Sequence, residues 1–506
     1  MRNPLKVLRR TVQVLALLAF LFLFWQTRWH GQGTGSPPPL FLRLGPLTAL
    51  TAWLAPTPTW LPLFVPAAIT LLVTVLLGRV FCGWICPLGT TLDLSDHLLW
   101  RKRSPRPELN RPTWKYYLLA AVLASAVFGA QLGWLLDPIP LLTRTLTVVA
   151  YPLAVAAYNL GVTVGHPVLQ AVGLSAYPTD REPVFALNLL VLAVFVVILG
   201  LGALSRRYWC RSLCPLGALL ALVGRFSFLG RKVDGCVSCK RCQGECKMGA
   251  IPAPGEPCED YRRTVAAECV QCFDCLVCPQ EGISGLGFST RSGDVDEKTH
   301  LSKRRFVGAL GLGLLYGATA ATGAGRHATH SRLLRPPGAI LRTPSGPRNM
   351  SESEFRSLCV RCGNCMKACV TGGLQPAVVE AGFDGLFTPI LIPKLGPCEQ
   401  NCTACGQVCP TGALGQFRVE EKKQIQIGLA TIHTDKCLCW RKGDLYKLCL
   451  VCDEQCSYDA VKVIEYEGQK RPVVDADKCV GCGVCENKCP SKPEAAIVVY
   501  RRDTRV

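Results

Sequence analysis

The sequence predicts an α-helical membrane bundle of four spans plus a fifth helix, carrying small α+β domains rich in cysteine. Three observations predict it. Apolar residues make up 49% of the 506-residue chain and charged residues only 18%, a balance that suits a chain partly dissolved in lipid. Four apolar runs in the first 210 residues are each close to the ~20 residues that cross a hydrocarbon core. The 30 cysteines recur at fixed short spacings, in too long a chain for a small disulfide scaffold.

The apolar runs fall at residues 12–26, 60–78, 117–136 and 184–204. The first reads as an anchor: no small-residue cleavage site follows it, and Trp25, Arg28 and Trp29 suit the membrane interface. Basic residues near the spans set their orientation. Arg2, Lys6, Arg9 and Arg10 precede the first span, seven Lys/Arg occupy residues 79–115 and six occupy 205–235. The two opposite loops carry only Arg28 and Arg43, and Arg144 and Arg181. Seventeen against four places the N-terminus inside. The outer loop at 137–179 is apolar for a connection and reads either as an interfacial or re-entrant element or as an amphipathic helix on the outer surface.

A fifth apolar stretch, residues 306–324, is rich in Gly and Ala and follows Ser302-Lys303-Arg304-Arg305-Phe306-Val307. It resembles a twin-arginine export signal, with Lys303 where the pattern prefers Arg; the other reading is a plain stop-transfer helix. Either way the remainder lies outside. Ala318-Thr319-Ala320 is a candidate cleavage site.

The cysteines carry the chemistry. Two Cys-x3-Cys-Pro pairs, Cys82/Cys86 and Cys210/Cys214, stand at the cytoplasmic ends of the second and fourth spans. Cys236, Cys239, Cys242 and Cys246 are followed by Cys269, Cys272, Cys275 and Cys278. Three cysteines at x2 spacing wrap three corners of a [4Fe-4S] cubane, and the fourth reaches the neighbouring cluster. One cluster is therefore expected on Cys236, Cys239, Cys242 and Cys278, and a second on Cys269, Cys272, Cys275 and Cys246. The exported half repeats the pattern in Cys359, Cys362, Cys365 and Cys369; in Cys398, Cys402, Cys405 and Cys409; in Cys437 or Cys439 with Cys449, Cys452 and Cys456; and in Cys479, Cys482, Cys485 and Cys489. Fourth ligands exchange either within adjacent groups or in a nested scheme, and spacing does not choose. Cys258 reads as a bystander.

Zinc sites use two Cys pairs separated by a longer loop, often with His; here the third cysteine follows at once and the chain has only seven His. Disulfides would not recur at the same spacing on the cytoplasmic side. Six [4Fe-4S] clusters, ferredoxin-like α+β domains, follow. Each cluster with four thiolates carries roughly −2, so six lower the formal +20 to about +8, and the basic balance needs no nucleic acid. No Cys-x2-Cys-His predicts c-type haem, and no glycine-rich loop predicts a nucleotide. The expected domains are a membrane domain at 1–235, a cytoplasmic two-cluster ferredoxin at 236–300, a signal or anchor helix at 301–325 and an exported four-cluster domain at 326–506.

The stretches RVFCGWICPLGTTLDL (79–94), WLLDPIPLL (134–142) and RYWCRSLCPLGALLALVGRFS (207–227), followed by a two-cluster ferredoxin, resemble the NapH-type membrane ferredoxins, whose relatives include MauN, NosR and CcoG. Residues from about 300 onward resemble the NapG or MauM companion family, whose third group opens with Cys-Leu-x-aromatic. That resemblance favours Cys437 as the ligand and leaves Cys439 spare. The chain looks like a fusion of both partners.

The resemblance implies quinol oxidation at the bacterial inner membrane and electron delivery to a periplasmic reductase or cytochrome. A quinol site needs a proton acceptor, for which Asp137 is the outer candidate and Asp93 or Asp96 the inner one; Asp137 also reads as a cap before Pro138. Cys82, Cys86, Cys210 and Cys214 are expected to have a redox or metal role. Two further readings are a maturation factor that reduces copper or the cofactor of a periplasmic enzyme, and a redox sensor. The four exported groups favour the conduit, although no haem-ligating pair in the spans carries electrons across the bilayer.

Overall fold

The computed structural model describes residues 4–27, 39–56, 64–99, 112–171, 173, 175–179, 183–233, 239, 241–251, 264–277, 284–288, 301–322, 332–339 and 350–502. The expected ligands Cys236 and Cys278, the bystander Cys258, and Arg28, Trp29 and Arg181 lie outside the described residues. The chain divides into two compact units. Unit one comprises Met1–Trp25, Pro39–Thr143 and Leu192–Thr322, and unit two comprises Gln26–Pro38, Arg144–Val191 and Gly323–Val506.

Among the described residues, Pro4–Gln26 and Pro138–His166 are long and apolar enough to cross a membrane, and Phe64–Leu77, Trp114–Val127, Asn188–Ala203 and Pro215–Gly224 are shorter apolar helices. The third apolar run is less helical than expected. Its helix stops at Val127, Gly129 adopts a φ of 76°, and only a short 3-10 turn, Leu132–Leu135, follows. The outer segment, read either as interfacial or re-entrant or as an amphipathic helix, is helical from Pro138 to Ala171, with one π turn at Leu146–Ala150. Helical backbone satisfies its own polar groups, so this apolar stretch needs no irregular chain at membrane depth.

The Lys303–Thr322 helix belongs to unit one and packs against Trp114–Val127. Gly313 and Gly317 lie on one helical face, and a Cβ added at Gly313 would stand 2.4 Å from the carbonyl oxygen of Ala121. At Gly317 it would stand 2.9 Å from Cβ of Phe128. Small residues at i and i+4 let two backbones approach, the usual basis of helix association in lipid. The composition that reads as a weak export signal is thus also a packing face.

Short antiparallel strand pairs accompany the cysteine groups. In unit one, β1 (Leu229–Val233) pairs with β2 (Ser284–Phe288) across the first two groups. In unit two, β3 (Leu374–Pro376) pairs with β4 (Pro389–Leu391), and Leu334 bridges to Leu391. Strand β5 (Leu429–Ile432) pairs with β8 (Ile497–Tyr500), enclosing the last two groups and the hairpin of β6 (Val461–Tyr466) and β7 (Gln469–Val474). Pairs β1/β2 and β5/β8 hold the ends of their double cysteine motifs together, whereas β3/β4 lies between the first two groups of unit two.

Replacing Gly313 or Gly317 by Leu is expected to destabilise the detergent-solubilised chain by about 3 kcal/mol, the upper range of overpacking costs. Gly308→Leu, whose added Cβ meets nothing within 4 Å, is the matched control. Thermal unfolding monitored by circular dichroism reads the difference.

Candidate iron–sulfur centres

The structure gathers cysteines into sets of four, each made of three from one group and one from another. Cys359, Cys362, Cys365 and Cys409 line a cavity of about 370 Å³. Cys437, Cys449, Cys452 and Cys489 line one of about 350 Å³. In unit one, Cys246, Cys269, Cys272 and Cys275 line one of about 450 Å³. Two more sets are marked by the electrostatic reach of their thiols on one another: Cys369 with Cys398, Cys402 and Cys405, and Cys456 with Cys479, Cys482 and Cys485. The exchange in unit two therefore runs within adjacent groups, the choice that spacing leaves open.

The sets in unit two follow one another in a row. Cys365 of the first set lies within reach of Cys405 of the second. The backbone N–H of Cys398 in the second donates to the carbonyl of Cys482 in the Cys479 set at 2.8 Å. Cys485 of that set lies within reach of Cys452 in the Cys437 set.

The cavities fit a polynuclear guest. Around a single zinc ion, with Zn–S bonds of ~2.3 Å, thiolates crowd together, yet among the described residues no three His, Cys, Asp or Glu groups close on a point in that way. Four thiols lining one cavity match the four corners of a cubane. The fourth cysteines are prepared alike: Cys246, Cys409, Cys456 and Cys489 each accept a backbone N–H, from Ala250, Leu414, Ala460 and Ala496, at 3.2 to 3.3 Å. Burial pushes the Cys359 thiol up to about 11 and those of Cys362 and Cys398 up to about 12, with neighbouring thiols adding to it for the last two. Ligation of a cluster would therefore release the thiol protons.

The loops share a backbone device that spacing does not reveal. Between their first three cysteines, Gln271 and Phe273, Arg361 and Gly363, and Gly481 and Gly483 all have positive φ. Alternating handedness of this kind turns successive N–H groups inward into an anion-binding nest. Glycine announces it at three positions; Gln271, Phe273 and Arg361 bear it without any such signal. Nor does spacing reveal Lys422, which is buried and donates to the carbonyls of Cys402, at 2.7 Å, and of Glu399.

Cys439 is fully buried and engaged elsewhere. Its sulfur donates to the carbonyl of Cys449 at 2.9 Å and accepts the N–H of the same residue at 3.0 Å, whereas Cys437 faces the cavity.

The two Cys-x3-Cys-Pro turns share one local design. Cys86 N donates to Phe81 O at 2.8 Å and Cys214 N to Trp209 O at 2.9 Å, closing π turns over Phe81–Ile85 and Trp209–Leu213. Pro87 and Pro215 then open the helices Pro87–Leu99 and Pro215–Gly224, since proline at the first helical position forfeits no hydrogen bond. The structure brings Cys82, Cys86, Cys210 and Cys214 within electrostatic reach of one another. Cys82 and Cys210 also pack against Val270, Cys272 and Met248.

Asp93 does not suit the role of base. Arg207 donates to both its oxygens at 2.8 Å, and Gln13 and Lys247 donate at 3.0 and 3.2 Å. Although burial opposes ionisation, Arg207 and Lys247 hold this carboxyl far below the usual range, so Asp93 is an ion-pair anchor. Asp96, whose Oδ2 accepts the backbone N–H of Arg207, is pushed up by burial. Asp137 is 2% exposed and accepts from Thr48 at 3.0 Å and from Ile139 N at 3.2 Å. Burial pushes it up to about 6 despite these two bonds, and the bond from Ile139 N makes it a cap of the helix that opens at Pro138.

The spare and the ligand are separable by substitution. Cys437→Ser is expected to lower bound iron by about four atoms per chain, one cubane. Cys439→Ser, which retains a donor and an acceptor, is expected to leave iron content unchanged. Iron analysis of the anaerobically purified chain decides.

A family model described as a 4Fe-4S binding domain matches residues 59–106 and 187–234, and a second of that description matches 472–492. The ferredoxin-type protein NapG of Escherichia coli (strain K12) is 34% identical over 167 residues, 31% of this chain and 65% of its own length; the chain thus spans just under two thirds of that relative. The methylamine utilization ferredoxin-type protein MauM of Methylorubrum extorquens is 33% identical over 180 residues, 34% of this chain and 74% of its own. MauN of Paracoccus denitrificans is 28% identical over 271 residues, 52% of this chain and 83% of its own. No solved structure matches. The chain therefore belongs to the ferredoxin-type family that MauM represents, and it is also similar to MauN over about half of its length.

Proposed function

We propose that this iron–sulfur electron-transfer protein oxidises quinol at the bacterial inner membrane. Its electrons would pass through six [4Fe-4S] clusters to a periplasmic reductase or cytochrome. The observation that carries the reading is the row of four cysteine sets in unit two, each adjoining the next. Storage, sensing or reduction of a single copper ion needs no such succession. A [4Fe-4S] cluster supplies one-electron exchange between its 2+ and 1+ cores when bound; the chain supplies the thiolates, the inward N–H groups and buried cations such as Lys422.

The topology read from basic residues supports a four-span membrane domain with the Lys303–Thr322 helix as a fifth, retained anchor. Unit two unites 26–38 and 144–191, which lie in or beside the outward segments of that topology, with the exported half. Within unit two, the first cysteine group is fastened to these segments. Lys367 donates to the carbonyl of Thr27 at 2.8 Å and lies 5.3 Å from the Tyr151 ring centroid. Arg144 lies 5.2 Å from the Phe387 ring centroid, and a Cβ on Gly363 would stand 3.1 Å from Thr147 Cγ2. This fastening makes the Cys359 set the entry to the row. In this reading Asp137 accepts a quinol proton, with Thr48 orienting the carboxylate.

The anaerobic chain in detergent, mixed with a soluble quinol, should develop the paramagnetic signals of reduced clusters. The initial rate should fall as pH drops below about 6, where Asp137 takes up a proton and ceases to accept one. Asp137→Asn should slow reduction by about 100-fold, the low end for loss of a general base, and abolish that pH limb. Clusters that dithionite reduces but a low-potential quinol does not would remove the quinol reading.

A further inference from the structure

Each segment matched by the first family model brings only two cysteines, half the ligand set of a cluster. The segments are repeats in register: Arg79-x2-Cys82-x3-Cys86-Pro-Leu-Gly89 and Arg207-x2-Cys210-x3-Cys214-Pro-Leu-Gly217. They also interlock. Arg207 of the second repeat donates to the carbonyls of Cys82 and Gly89 in the first, both at 3.1 Å. Arg79 of the first reaches back, its Nη2 standing 3.0 Å from where a Cβ on Gly217 would lie. Each arginine thus occupies the space that the other repeat's glycine leaves open, a reciprocal exchange that brings both cysteine pairs to one place.

The polar groups there are arranged for a guest with acceptor atoms. Arg79 is fully buried, and although its Nη1 meets Ala267 O and Glu268, its Nε and Nη2 have no hydrogen-bond partner. Trp209 Nε1 and Ser212 Oγ, both within the second π turn, are likewise buried without a partner. All four cysteines are free thiols, Cys86 and Cys214 buried. Two fully buried guanidiniums stand next to the four thiols, Arg207 paired with Asp93 and Arg79 paired through Nη1 with Glu268 while its Nε and Nη2 stay available to a guest. Among the described residues no three such groups close on a single-ion position, so the site suits a wider guest than a lone copper or zinc ion.

We propose that the two Cys-x3-Cys-Pro turns close on each other around one iron–sulfur cluster, a seventh centre held by Cys82, Cys86, Cys210 and Cys214, with Arg79 donating to its sulfur atoms. Cys82 and Cys210 pack on the apolar cluster of Met248, Val270 and Cys272, which includes a candidate ligand of the neighbouring set. A single electron can therefore leave one core as the other gains it, with no further reactant. This assignment rests on the electron-carrier reading of the chain and adds a redox centre at the membrane end of the cytoplasmic pair.

Iron and acid-labile sulfide are measured in the full chain, purified anaerobically in detergent, with copper measured in parallel. The wild-type chain should hold about 28 iron atoms, seven cubanes. Cys82→Ser and Cys214→Ser should each lose one cluster, about four irons, or about two if the guest is a two-iron cluster. Their combination should lose no more than either alone, because both repeats serve one site. Arg79→Gln, which leaves all ligands in place, should retain the iron and shift the midpoint potential of one paramagnetic signal. Iron unchanged in both cysteine variants, additive losses, or stoichiometric copper in place of iron would each overturn the proposal. Quinol reduction of the remaining clusters, followed in the same wild-type sample, tests the conduit separately: it can fail while the seventh cluster stands, and the reverse.

Discussion

The rest of the structure depends on the exchange of one cysteine between groups. Cys369 and Cys409 cross in opposite directions between the first two groups of unit two, and Cys456 and Cys489 do so between the last two. Neither member of a pair can assemble alone, because each lacks a corner without its neighbour. Ala368, Ala404 and Val408 form one hydrophobic cluster, with Cys365 and Cys402 packed against it. Ligation of a cluster would add folding free energy of its own to this burial, as in small metal domains. The strand pair β5/β8 then acts as a clasp on a structure that the clusters close.

Charge is the second constraint, and it gives the basic balance of the chain a double meaning. Arg9, Arg79, Arg207 and Lys115, which the sequence counts as cytoplasmic topology signals, are at most 1% exposed. Arg79, Lys115 and Tyr116 converge on Glu268, next to the candidate ligand Cys269, and Lys6, Arg9 and Lys247 converge on Asp274, between Cys272 and Cys275. A buried charge left unpaired costs several kcal/mol, so these cations and acids must form together. They fix the cysteine loop on the turn at Gly83, where a Cβ would fall 2.1 Å from the carbonyl oxygen of Val270.

Cysteine spacing made the ligand groups legible, because a cubane demands three sulfurs on one short loop. It left the partner of each fourth cysteine open, since exchange depends on how groups lie in space. The left-handed residues Arg361, Gln271 and Phe273 were hidden for a related reason: their conformation follows from wrapping a loop around a centre and has no residue-type signature. The helix through Tyr151–Ala171 was obscured by Asn159, Gly161, His166 and Pro167, which dilute its apolar pattern. Asp93 looked catalytic because an acid near a span end stands out in sequence; only the structure shows Arg207, distant in the chain, bound across both its oxygens. In contrast, the reading of Cys439 as spare came from the resemblance to the NapG or MauM family, since spacing alone left Cys437 and Cys439 equivalent.

The ligand exchange is tested most directly by comparing which low-temperature paramagnetic signal disappears from the reduced full-length chain in Cys359→Ala, Cys409→Ala, Cys369→Ala and Cys398→Ala. The account predicts that Cys359→Ala and Cys409→Ala abolish one and the same signal, and that Cys369→Ala and Cys398→Ala abolish another. Loss of a common signal in Cys409→Ala and Cys398→Ala, with Cys359→Ala grouping with Cys369→Ala, would contradict it.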